Sequence, residues 1–131
     1  MLKNVTAAIK WITKGMKAYI ISGRWHDRHG EDGLNQPRMC MRLAKARKIL
    51  ADTVIAYLKE RGAVNDEDGT IDYRCVYSIN GNEVDNGKPP YNTVDEVRKA
   101  IMAKGVLGFS VDVDNDGTWA EWDISLTECE D

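Results

Sequence analysis

The residues best suited to chemistry crowd into one stretch, Gly23 to Gln36, GRWHDRHGEDGLNQ, which holds Arg24, Trp25, His26, Asp27, Arg28, His29, Glu31 and Asp32. Imidazoles beside carboxylates can hold a metal or move a proton, and a metal-dependent phosphoesterase would use His26 and His29 with Asp27, Glu31 or Asp32. Three-residue spacing on a loop does not fix two imidazoles on one ion, and no third histidine exists to complete a site. No metal and no cofactor is therefore expected, and the phosphoesterase stands as the rival reading.

A few residues further on, Arg38, Arg42 and Lys45 fall at i, i+4 and i+7, which is one line along a helix. Cations at a helix start oppose its dipole, at a cost of about 0.3–1 kcal/mol each, so a nearby anion would relieve them. Free N–H groups at a helix start and arginine forks together make an anion site. Arg24, Trp25, His26, Arg28, Arg38, Arg42 and Lys45 are thus the expected ligand site, with Trp25 as a stacking surface. The expected ligand is a nucleotide-like anionic small molecule or an acidic protein patch.

Asp112-x-Asp114-x-Asp116-Gly117 matches the first half of a calcium loop. The second half fails: position twelve is Asp123, too short for a bidentate glutamate's reach, and Trp119 occupies position eight. No G-x-S-x-G, no H-E-x-x-H and no recognised Cys–His spacing is present. A catalytic residue is accordingly not assigned.

The elements that must carry these residues are read from periodicity. Val5, Ile9, Ile12, Met16, Tyr19 and Ile20 predict a helix over 3–22, ended by Gly23, with 23–36 as a loop. Pro37 suits a first helical position, and the next helix runs to about Arg61 with Met39, Leu43, Ala46, Leu50, Val54, Tyr57 and Leu58 inward. Met41, Ile49 and Ile55 lie off that stripe and are the expected interface of a homo-oligomer. Ile71, Tyr73, Cys75, Tyr77 and Ile79 alternate as a strand, turned by Asn80-Gly81 into a short strand near Val84, with 85–90 as a loop. Thr93-x-x-Glu96 is a capping box for a helix that Gly105 ends.

The last hairpin is the clearest signal. Leu107, Phe109, Val111 and Val113 alternate, as do Ala120, Trp122, Ile124 and Leu126, around a turn at Asp116-Gly117. That turn sets Val111 opposite Trp122 and, on the outer face, Asp112 opposite Glu121. The order α-α-β-β-α-β-β predicts an α+β fold: a four-stranded, mainly antiparallel sheet with helices packed on one face.

The 131 residues make a single domain, 1–131. Residues 1–62 form a basic helical half with 13 Lys and Arg against 5 Asp and Glu; residues 63–131 form an acidic sheet half with 5 against 16. A net charge of −3 makes a poor nonspecific binder of nucleic acid, so a DNA- or RNA-binding module is a further rival rather than the expectation. No apolar run spans a membrane, lysines interrupt the first 22 residues, and Cys40, Cys75 and Cys129 are odd in number. A cytoplasmic protein without a disulfide framework is expected. In scale and charge segregation the chain is similar to small phage-encoded accessory proteins that block a host defence. Such proteins sequester a nucleotide signal or engage a defence protein. A small non-enzymatic binding or inhibitor protein is the expected function.

Overall fold

The computed structural model describes residues 17–72, 74–84, 92–115 and 117–128. Most of the first expected helix, the loop at 85–90 and the end of the tail lie outside these residues. The described chain runs β1 (Lys17–His26), β2 (Asp32–Cys40), α1 (Leu43–Glu60), β3 (Val76–Ile79), β4 (Asn82–Glu83), α2 (Val94–Ile101), β5 (Gly108–Asp112) and β6 (Trp119–Glu128). The class is α+β as expected, but six strands, not four, form one antiparallel sheet in the order β2-β1-β6-β5-β3-β4.

The two extra strands replace the expected end of the first helix and the loop that followed it. Residues 17–22 are strand, Gly23 lies inside β1 and does not end a helix, and residues 23–36 are mostly a hairpin. Tyr19, Ile21, Gly23 and Trp25 alternate onto the helix-covered face, a period-2 pattern that the apolar run at 18–21 hides by fitting a helix as well. Pro37 is not a first helical residue. Ile21 pairs with Arg38 and Gly23 with Asn35, so Ser22 faces both Gln36 and Pro37, and the proline sits at a bulge on an edge strand where no ladder N–H is needed. That bulge also blunts the edge against further strand pairing.

Helix α1 therefore begins at Leu43, with Arg42 as its N-cap and no side-chain cap bond. It buries Ala46, Leu50, Ala51, Val54, Ile55 and Leu58 over the sheet. Ile55, expected at a subunit interface, is 5% exposed and belongs to the protomer's own core. Ile49 is half-buried against that core and Met41 is exposed. The Thr93 cap forms as expected: its hydroxyl accepts the Glu96 N–H, and Val97 and Ile101 are buried below it.

Asn80 and Gly81 both have positive φ, 51° and 81°, and turn β3 into β4 as the sequence required. The Asn80 side chain does more than turn the chain. Its Oδ1 accepts the N–H groups of Leu107 and Gly108 at 2.8 and 2.9 Å, and its Nδ2 donates to the Gly105 carbonyl at 2.9 Å. This one residue fixes the start of β5 after α2.

The last hairpin forms, in a register two residues away from the expected one. Val111 lies opposite Ala120, not Trp122; Phe109 takes Trp122; and Asp112 ends the ladder opposite Trp119. Strands β5 and β6 are joined by a longer connection in which Asn115 and Gly117 have positive φ and the Asp112 carboxylate accepts the Gly117 N–H; Asp116 of the expected turn lies outside the described residues. A shift of two keeps every side chain on its own face, so the core of Phe109, Val111, Ala120, Trp122 and Ile124 survives the correction. Leu107 and Leu126, expected inside, are exposed. The expected clash of Asp112 with Glu121 disappears, because Glu121 stands opposite Ser110.

Candidate functional site on the outer face of the sheet

The helices cover one face of the sheet, and the other presents two rows of side chains near the β1–β2 turn. Cross-strand pairing sets Leu34, Arg24, Glu121 and Ser110 in one row and Asp32, His26, Trp119 and Asp112 in the next. The Arg24 guanidinium bonds to the Glu121 carboxylate and lies 5.6 Å from the centre of the Trp119 ring. The His26 ring stacks on Trp119 at 5.5 Å, with 25° between planes, and its Nδ1 meets the Asp32 carboxylate at 2.5 Å. Trp119 is thus flanked by a guanidinium and an imidazole, each anchored by its own carboxylate. Leu34 stands beside them at 85% exposure. A cleft of about 390 Å³ opens at this end of the sheet and reaches both of its faces around the β2 edge, lined by Arg24, Asp32, Leu34 and Trp119 from the outer face and by Trp25 and Gly33 from the other.

The turn that carries the edge of this patch is built by Asp27. Its Oδ1 accepts the N–H groups of His29 and Glu31, at 2.8 and 3.0 Å, and Gly30 supplies the positive φ of 87°. The Glu31 amide above all holds the Asp27 carboxyl below the usual carboxylate range. Across the turn, the Arg28 N–H donates to the Thr118 hydroxyl at 3.3 Å, tying β1–β2 to the connection before β6.

The seven expected ligand residues separate. Arg24 and His26 share the outer patch, while Trp25 between them points to the helix-covered face, where it packs on the core and on Gly33. Arg28 is at the turn. Arg38 is on β2 facing the helix side, Arg42 caps α1 and Lys45 is in its first turn, so the expected helical line of three cations does not exist. Trp119, Glu121 and Leu34 complete the patch in place of the rest. The signal for Trp119 and Glu121 was the outward phase of the last hairpin, but with 17–26 read as helix and loop, no strand lay beside β6 to bring Arg24 and His26 across from it, and Leu34 fell within the expected loop.

A carboxylate on one imidazole nitrogen orients the ring and leaves the other nitrogen free to accept a proton. Among the described residues no hydroxyl or thiol bonds to His26, and Cys40 and Cys75 are buried. Burial, the largest cause, pushes the Cys75 thiol up to about 11, away from thiolate chemistry. Among the described residues no three His, Cys, Asp or Glu side chains converge to hold a metal ion, and no helix is long and apolar enough to cross a membrane. What the patch offers is recognition: an exposed aliphatic tip, an indole in a fixed pose, and paired charges at the rim. The chain matches no known family model, no curated protein and no solved structure.

Proposed function

We propose that the chain is a non-enzymatic binding protein that acts by covering a surface of a partner protein with this outer patch. The observation that carries the reading is Trp119 and Leu34 together, an ordered indole and a nearly bare leucine on a rigid sheet with arginine and histidine beside them. Tryptophan and arginine dominate the energetics of protein interfaces, and an aromatic anchor held before binding costs little entropy to use. The rim carries Asp32, Glu121 and Asp112 around Arg24 and His26, so the complementary surface is apolar with basic groups at its edge. That replaces an acidic partner, because Arg24 is already answered by Glu121. An inhibitor that blocks a host defence protein by occupying its surface is the version of this reading that fits the scale of the chain. Self-association belongs to the proposal through Met41 and Ile49.

The test compares proteins crosslinked to wild type, Leu34→Asp, Trp119→Ala and Arg38→Ala in a host lysate. Capture of a specific protein that both patch variants lose, and that Arg38→Ala on the other face keeps, is the expected result. Equal capture by all four variants would remove the patch from the function.

A further inference from the structure

The opposite face of the same sheet holds a second opening, where β2, β1 and β6 meet the last turns of α1. Its volume is about 350 Å³, and Asn35, Arg38, Asp52, Thr53, Tyr57, Glu60 and Trp122 line it. Its walls are aromatic at one side, where Tyr57 meets Trp122 edge-on with ring centres 5.4 Å apart. Two features set this opening apart from an ordinary surface dip.

The first is an unanswered donor in its wall. Trp122 is 2% exposed, and its Nε1 is buried without a hydrogen-bond partner. An indole N–H can only donate, and a buried donor without an acceptor carries a desolvation cost that a bound oxygen would remove. The cross-strand row Asn35, Gly23, Trp122 brings this about. Gly23 has no side chain, and a Cβ there would sit 2.3 Å from Trp122 Cδ1, 2.8 Å from its Nε1 and 2.9 Å from Asn35 Nδ2. The glycine therefore lets the indole edge and the Asn35 carboxamide close together over its Cα, at the floor of the groove, where any side chain would displace them.

The second is the set of charges. Asp52 is taken by Arg98 at 2.6 Å, and the Thr53 hydroxyl donates to the Ile49 carbonyl. Arg38 and Glu60, by contrast, have no ion-pair partner among the described residues. A cation and a carboxylate that line one aromatic-walled groove without pairing are available to a ligand carrying both an anionic group and an N–H edge.

We infer that this groove binds a single nucleoside monophosphate bearing a keto base. The Glu60 carboxylate accepts from the N–H edge of the base, Asn35 and Trp122 offer donors to its keto oxygen, and Arg38 takes the phosphate. The volume lies at the low end of ligand pockets, about 300–1,000 Å³, which suits one nucleotide rather than a dinucleotide. This site shares only Arg38 with the anion site expected from the sequence. It is also independent of the outer patch, from which the sheet separates it.

Titration of the ¹⁵N-labelled chain with guanosine, uridine and adenosine 5′-monophosphates tests this, read at the four indole N–H resonances, with Trp122 assigned by Trp122→Phe. Guanosine or uridine monophosphate is expected to shift the Trp122 resonance saturably and to leave Trp119 unmoved. Arg38→Ala should weaken that binding about tenfold or more, the loss of one charge-assisted contact. Glu60→Gln, which keeps the shape but loses the carboxylate, should narrow the preference for keto bases over adenosine. The inference is overturned by no saturable shift with any of the three at millimolar concentration, or by a shift that persists equally in both variants. A Trp122 resonance that moves in Asn35→Ala alone, without response to nucleotide, would assign the carboxamide oxygen as the indole's acceptor and count against it equally.

Discussion

Trp119 and Trp122 are three residues apart on β6 and serve opposite ends. Trp122 lies on the helix-covered face, where glycine on one neighbouring strand and phenylalanine on the other leave and fill space around it. Trp119 lies on the outer face between a cation and an imidazole, held in place by charges on other strands. One indole is fixed by packing and the other by polar neighbours. The comparison teaches that a side chain's type says little about its use; the phase of the strand and the residue across the ladder decide it.

The largest effect that would break this contrast is at Trp122. Trp122→Ala empties a packed position and should cost about 3–5 kcal/mol, read as a lowered urea midpoint. Trp119→Ala should stay within about 1 kcal/mol of wild type, since exposed cation–π and ion-pair contacts are worth no more than that. Equal losses from the two would end the distinction between a structural and a presented tryptophan. A smaller effect sharpens it. Gly23→Ala places a methyl group into the Trp122 ring and should cost about 1–3 kcal/mol by overpacking, measured by thermal unfolding. A neutral Gly23→Ala would show that the indole can move aside, and the row Asn35, Gly23, Trp122 would then not be rigid.

The smallest effect concerns pH. Asp72 is held below its ordinary value chiefly by hydrogen bonds from the Arg74 side chain. A carboxyl whose folded-state value is depressed stabilises the fold above its unfolded value, near 3.8, and loses that contribution as pH falls through the lower folded value. Arg74→Ala should therefore flatten acid unfolding slightly below pH about 4, and salt should mask the difference because the pair is near the surface. A variant with an unchanged acid limb at low salt would mean that the pair does not contribute.

How much of this was legible in the sequence differs between the two ends of the chain. The last hairpin was readable because Phe109, Val111, Ala120, Trp122 and Ile124 alternate strictly, and a two-residue error in register leaves such a pattern intact. The Thr93 cap and the Asn80-Gly81 turn were readable because each rests on one local bond or one local dihedral. Residues 17–40 were not. Tyr19, Ile20 and Ile21 satisfy helical and strand periods equally over so short a run, and Pro37 is welcome at a helix start or at an edge bulge. Only pairing with β6, from the far end of the chain, decides between them. The candidate patch was half legible for the same reason: Arg24 and His26 were picked by chemistry, but their neighbours Trp119 and Glu121 come from that distant strand.

That pairing also sets the pace at which the molecule can assemble. Arg24 and Glu121 are 97 residues apart in sequence, yet adjacent in the sheet. Closing a loop of that length costs about 4 kcal/mol of chain entropy, against about 1.6 kcal/mol for the six-residue connection between β5 and β6. The short hairpin can form early and present β6 as a template, whereas β1 must wait for a slow encounter across most of the chain. The outer patch exists only after that encounter, so any binding through it is a property of the fully folded molecule and none of its intermediates.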